Sequence, residues 1–256
     1  MKLFSFLSLR QWLTLPYIVI VFGVAGLIGT LSYRTGSQAV DTVANHLLKE
    51  TVARIGQAVD RHIVGSGAAL EAAFPSGMPA PKSVAAEIDA LRTRFWIATS
   101  LHIDPNNYVY YGNRHGEFFG LWRFNLQDAE LRLRPPADPP QLRGLYRFSG
   151  INGALSEPVF EERMYEPRSR PWYKAGETND SHTWTSIYID FRKTDLVATR
   201  ARRVLDANGQ FAGVVATDIS LKRLNDFVRR LAVSENAVAF IIEADGKLIA
   251  SSRGNN

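Results

Sequence analysis

The chain has 256 residues, 46% of them hydrophobic and 21% charged, an ordinary globular composition that excludes a disordered or collagen-like polypeptide. It contains no cysteine, which removes disulfide scaffolds, zinc ribbons, thiol nucleophiles and iron–sulfur sites. The formal net charge is +5, but Lys2, Arg10 and Arg34 fall in a stretch with no Asp or Glu, so the rest of the chain is close to neutral and lacks the footprint of a nucleic-acid binder.

From Trp12 to Leu31 the chain is uncharged and almost wholly apolar (WLTLPYIVIVFGVAGLIGTL), about twenty residues, the length that spans a bilayer as a helix. Trp12, Tyr17 and Tyr33 suit the interfaces, and Pro16 lies early enough to be tolerated. The competing reading is a cleaved signal peptide. Its apolar core would be shorter, and the small-residue site Ser37-Gln38-Ala39 lies beyond the run. Lys2 and Arg10 favour a cytoplasmic N-terminus, which places the remainder outside.

Val40, Val43, Leu47, Val52, Ile55, Val59, Ile63 and Leu70 then recur at helical spacing and predict a long amphipathic helix, weakened at its far end by Gly65, Ser66 and Gly67. Pro75 to Pro81 is a loop. A second helix starts at Ser83 as N-cap, with Glu87 in its first turns, and runs through Leu91, Phe95 and Trp96. Tyr108 to Tyr111 and Phe118 to Phe124 predict a hairpin, and Pro135 to Pro140 a rigid surface loop. A short helix near Tyr173 and a strand from Trp184 to Ile189 follow. Two strands, Leu196 to Leu205 and Phe211 to Ile219, turn at Asn208-Gly209, and an amphipathic helix carries Leu221, Leu224, Phe227, Val228 and Leu231. Residues 204–211 recur in pattern 37 positions later as residues 241–248, so the same unit starts again. These elements make an α+β chain: a PAS-like antiparallel sheet with helices on one side, then the first hairpin of an incomplete second module. The expected boundaries are 1–11 for a cytoplasmic N-terminus and 12–33 for the transmembrane helix, then 34–235 for the long helix and ligand-binding module, and 236–256 for the hairpin.

Catalytic signatures are missing: there is no Gly-x-Ser-x-Gly, His-Glu-x-x-His, P-loop or Gly-x-Gly-x-x-Gly. The five histidines are scattered, and Glu161 and Glu162, adjacent on an extended chain, face opposite ways. No catalytic residue, metal site or cofactor is expected. The densest chemistry lies in Tyr165-Glu166-Pro167-Arg168-Ser169-Arg170-Pro171-Trp172-Tyr173, where prolines restrict a backbone presenting guanidinium groups beside aromatic rings. That combination either holds a carboxylate or is plain cation–π packing under a loop. Asp218 shares a strand face with Ala212, Val214 and Ala216, small residues that leave room above them. It either meets a ligand or caps the following helix, a role open also to Ser220. If Arg170 and Asp218 face one cavity, the cavity is bipolar and suits a zwitterion.

The run Tyr-x-Pro-x-x-Arg-x-Trp-Tyr, followed by Trp184, Tyr188, Gly-Val-Val-Ala-Thr-Asp-Ile-Ser-Leu and Asp-Gly-Lys-Leu-Ile-Ala-Ser-Ser, resembles the double Cache sensor domains of bacterial chemoreceptors, sensor kinases and cyclases. The resemblance covers Tyr33 onward and is most specific from Tyr165 to Ser252. It implies a membrane-distal module that binds a small molecule, an amino acid in the subset this motif resembles, and a membrane-proximal module that relays the signal. Carried over residue by residue, Arg170 and Trp172 would hold the carboxylate, while Asp218 and the tyrosines Tyr165, Tyr173 and Tyr188 would meet the ammonium end. The resemblance further implies an inner-membrane location, a homodimer through the long helix and no enzymatic activity. Family members continue into the rest of the proximal module, a second span and an output domain, which are absent from this sequence. The alternatives are a sensor for an amine or organic acid, a tethered hydrolase using Glu161 or Asp218 as base, and a ligand-free dimerisation module.

Overall fold

The computed structural model describes residues 9–101, 107–136, 141–192, 195–230, 237–242 and 246–253, without the side chains of residues 9, 11, 62 and 63. The expectations for His102, Leu231, the turn at 243–245 and most of the Pro135 to Pro140 loop fall outside these residues. Two compact units divide the chain, Met1–Arg54 and Ile55–Asn256.

In the first unit, helix α1 (Leu9–Ala73) begins, with Pro16 in its early turns. Trp12, Ile18, Phe22, Leu27 and Leu31 are all exposed. The segment is long and apolar enough to cross a membrane.

In the second unit, the last turns of α1 bury Ala69, Leu70 and Ala73. The glycines expected to weaken this end do not break it. A Cβ on Gly67 would lie 3.1 Å from the Arg200 guanidinium, so glycine here admits a cation against the helix. After the loop, a 3₁₀ turn (Ala85–Glu87) leads into α2 (Ile88–Leu101). Ser83 caps as expected, its Oγ accepting the Ala86 N–H at 3.1 Å.

The sheet runs through β1 (Tyr108–Asn113), β2 (Phe118–Arg123), β3 (Asp128–Arg134), β4 (Gly144–Ser149) and β5 (Val159–Phe160). A second 3₁₀ turn (Pro167–Ser169) and α3 (Pro171–Thr178) precede β6 (Thr183–Trp184), β7 (Tyr188–Ile189), β8 (Leu196–Leu205) and β9 (Phe211–Ser220). Strand order is β5-β4-β3-β2-β1-β9-β8-β6, with β7 also on β8. The pairings are antiparallel, and β9, though distant in sequence, inserts beside β1. Strands β3, β4 and β5 were not expected from the sequence. The predicted Trp184–Ile189 strand is instead two short pieces, both laid on β8.

The sheet has two dissimilar faces, as strand alternation demands. One carries Val109, Tyr111, Phe119, Leu121, Leu131 and Val215, which pack with Leu70 and Phe74 and with Leu91 and Phe95 of α2. The other carries Tyr110, Phe118, Val214, Ala216 and Ala201, covered by Tyr165, Trp172 and Tyr173. Helix α4 (Leu221–Arg230) then supports a two-stranded sheet of β10 (Phe240–Ile242) and β11 (Leu248–Ser251) through Leu224, Val228 and Ala250. The repeat is structural: Gly209 and Gly246, 37 positions apart, turn their hairpins at φ of 75° and 87°.

Candidate functional site

Prolines fix where Arg170 stands. A residue before proline is driven from the helical region, and Arg170, before Pro171, is extended at φ −79° and ψ 149° as N-cap of α3, with Pro171 opening the helix. Glu166, before Pro167, is likewise extended and caps the preceding 3₁₀ turn by accepting from the Arg168 N–H at 3.1 Å. The Arg170 guanidinium meets only the Ile189 carbonyl at 3.4 Å and the rings of Tyr188 and Phe191, 5.6 and 5.8 Å away. Among the described residues it has no carboxylate partner.

Trp172 is almost fully buried, edge-on to Tyr110 with centroids 4.9 Å apart. A Cβ on Gly112 would lie 2.9 Å from its ring, so the glycine makes its seat. The indole Nε1 donates to the Tyr165 hydroxyl at 3.2 Å. Of the two readings of this segment, cation–π packing is present, but between Arg170 and the rings of Tyr188 and Phe191 rather than the Trp172 indole.

Asp218 looks onto the same space from β9. Its Oδ1 accepts from the Tyr110 hydroxyl at 2.6 Å and from Thr199 Oγ1 at 2.5 Å, while the Tyr188 hydroxyl lies 2.7 Å from Thr199 Oγ1 and, with that proton committed, donates to it. Oδ2 accepts nothing from the described residues. Capping of α4 falls to Ser220, whose Oγ accepts the Arg223 N–H at 3.3 Å. Burial raises the Asp218 pKa to about 6, the neighbouring Asp190 adding to it, while the two hydroxyl donors and Arg132 hold it down.

These groups enclose a cavity of about 150 Å³. Tyr165, Arg170, Trp172, Tyr188 and Asp218 all line it. Tyr173 does not: it packs against Phe211, because consecutive residues of α3 point about 100° apart and Trp172 takes the inward direction. The sequence reading did not single out Tyr108, Tyr110, Trp122, Arg132 and Arg143, which also line it, together with Asp190, Arg192, Asp195 and Arg223 among others. Their signal was the alternation of β1 to β3 around an inward row, in which Arg132 stands opposite Gly120, Gly120 opposite Tyr110, and Tyr110 opposite Ala216. Arg143 is sealed by two bonds to Glu161, at 2.9 and 2.7 Å, which also ties up the glutamate considered as a base. Among the described residues no cluster of His, Asp and Glu could hold a metal ion.

Residues 133–226 match the family described as methyl-accepting chemotaxis protein-like, first PDC sensor domain. Chemotaxis protein McpC of Bacillus subtilis is 37% identical over 95 residues, 36% of this chain and 14% of that protein. Adenylate cyclase 1 of Rhizobium meliloti is 25% identical over 265 residues, 96% of this chain and 38% of the cyclase. The chain thus spans well under half of either relative. Among solved structures, the sensory domain of the Campylobacter jejuni chemoreceptor Tlp3 superposes with a TM-score of 0.50 at 16% identity, covering 80% of this chain and 69% of that one, a likeness of fold. Over residues 133–226 the chain is thus similar to the PDC, or Cache, sensor domains of chemoreceptors.

Proposed function

We propose that the protein is a membrane-anchored, non-enzymatic sensor that binds a free amino acid in this cavity for transmembrane signalling. The observation that carries the reading is the bipolar wall: among the described residues, an Arg170 guanidinium without a carboxylate partner and an Asp218 carboxylate with one oxygen uncommitted line the same small space. A fork of donors suits an α-carboxylate, and a half-satisfied carboxylate suits an ammonium group. The Tyr165 hydroxyl, which accepts from Trp172, keeps its own proton to donate, so Trp172 serves the carboxylate through Tyr165. About 150 Å³ is the volume of an engineered cavity that holds benzene, so a compact ligand fits.

The sheet is also a route for the signal. On β8, Thr199 donates to Asp218 while its neighbour Arg200 reaches the Ser66 hydroxyl of α1 at 3.4 Å. Binding shifts the helix only by the difference in affinity between its two settings.

Titration of the full chain in lipid nanodiscs with amino acids, simple amines and carboxylic acids tests the site. Arg170→Ala is expected to cost about 1.5 to 3 kcal/mol, or ten- to a hundredfold in affinity, for every α-carboxylate ligand. Asp218→Ala is expected to weaken amino acids comparably and plain carboxylic acids less. Unchanged affinity in both folded variants would remove the two residues from the site, and tight binding of amines or acids alone would replace the amino acid as ligand.

A further inference from the structure

We infer that the amino acid this cavity takes carries a side chain ending in an acceptor oxygen, a carboxamide or a carboxylate, held by Arg132. The inference rests on the amino-acid reading and deepens it by naming the ligand's side-chain class.

Three of the arginines lining the cavity are bonded very differently. Arg143 spends its fork on Glu161 and is closed. Arg170 is open and stands with Tyr165 at the carboxylate end. Arg132 comes from β3, on the far side of β2 and β1 from Asp218, so it faces whatever projects away from the ammonium group. Its side chain is 6% exposed, and its Nε donates to Glu130 Oε1 at 2.8 Å. The guanidinium carbon sits 4.3 Å from the Trp122 ring centroid and 4.9 Å from that of Tyr108, which fixes the plane of the fork. Its Nη2 is buried and has no protein hydrogen-bond partner among the described residues.

Gly120 stands opposite both Arg132 and Tyr110, and the place a Cβ would take is filled by the Phe118 ring and the Tyr108 hydroxyl, 2.8 and 2.9 Å away, so these side chains pack down beside Arg132 where it lines the cavity. A buried donor with no partner on a cavity wall is a place for an acceptor. An aliphatic side chain leaves Nη2 unbonded where an acceptor oxygen would pair it, a difference of about ten- to a hundredfold in affinity. An acceptor oxygen completes the fork, and Glu130 already balances the charge, so a neutral carboxamide serves as well as a carboxylate.

The test is calorimetric titration of the full chain in nanodiscs with asparagine, aspartate, leucine and alanine. Leucine has the branched outline of the first two without their acceptors. Asparagine or aspartate is expected to bind at least tenfold more tightly than leucine. Arg132→Lys, which keeps a cation for Glu130 but loses the fork, is expected to shrink that ratio to about threefold or less while alanine affinity persists, which also reports that the variant folds. Equal or tighter leucine binding by the wild type overturns the role of Arg132 and leaves the amino-acid reading standing, and so does a ratio unchanged in the folded lysine variant. Failure of the wild type to bind any of the four overturns the amino-acid reading and this inference with it.

Discussion

Asp218 accepts two hydroxyl protons on one oxygen and is still held near a pKa of about 6, because burial outweighs the donors. The consequence has a definite sign. In the empty site the proton is retained below about pH 6, so an incoming ammonium group must displace it. Affinity for an amino acid is expected to fall about tenfold per pH unit below that point and to be flat above it. Among the described residues no histidine lines the cavity, and the ligand's own groups titrate outside pH 5–8, so the break belongs to a carboxylate. Tyr110→Phe, by removing a donor to the charged form, is expected to move the break upward, and Asp218→Asn to abolish it. A profile level from pH 5 to 8 in the wild type would refute the assignment. In the ligand-free fold the same raised pKa means that stability declines as pH rises from the ordinary carboxylate range through about 6. Arg170 and Asp218 were legible in the sequence because proline sets one and strand periodicity the other. Tyr110 and Thr199 were not, since their reach to Asp218 depends on the registers of β1 and β8 against β9, which local sequence does not encode.

Helix α3 is seated on the sheet by the absence of a side chain. A Cβ on Gly176 would lie 2.3 Å from Val214 Cγ1, inside any real contact. Gly176→Ala is expected to destabilise the fold by about 1 to 3 kcal/mol through overpacking, with a lower melting temperature. It should also weaken ligand binding, because the start of the same helix carries Arg170 and Trp172. Val214→Ala in the same chain should restore much of both. An unchanged melting temperature in Gly176→Ala would show that α3 is not docked this closely. The helices and the β8–β9 hairpin could be read from periodicity and Asn-Gly, whereas β3 could not. Its alternation of Ala129, Leu131 and Leu133 with Glu130, Arg132 and Arg134 looks like a half-exposed strand or a charged loop. The structure buries nearly all of both sets, because the charged residues find partners: Arg132, on the cavity wall, bonds Glu130, and Arg134 meets the Gly116 carbonyl and Glu166. The pieces β6 and β7 were read as one strand because the break between them lies in ordinary residues, Thr185 to Ile187, without Gly or Pro.

At the scale of the molecule, the described apolar side chains of the first unit's uncharged run are largely exposed. Trp12, Ile18, Val21, Phe22, Val24, Leu27, Ile28 and Leu31 are all half or more exposed. The cost of leaving such a face in water, about 25 cal/mol per Å² of apolar surface, points to a lipid solvent for this segment. A spanning helix still has two orientations. Lys2, Arg10 and the amino terminus precede the run, and Arg34 and Lys49 follow it, so the bias toward a cytoplasmic N-terminus is modest in charge. A reporter enzyme that works only outside the cytoplasm, fused after Asn256, is expected to be active. Moving Lys2 and Arg10 to the far side of the run, beside Arg34, is expected to reduce that activity by reversing part of the population. A fusion that is inactive outside and active with a cytoplasmic reporter would place the cavity in the cytoplasm, and the reading of this chain as a receptor for external amino acids would fail even if the cavity bound them.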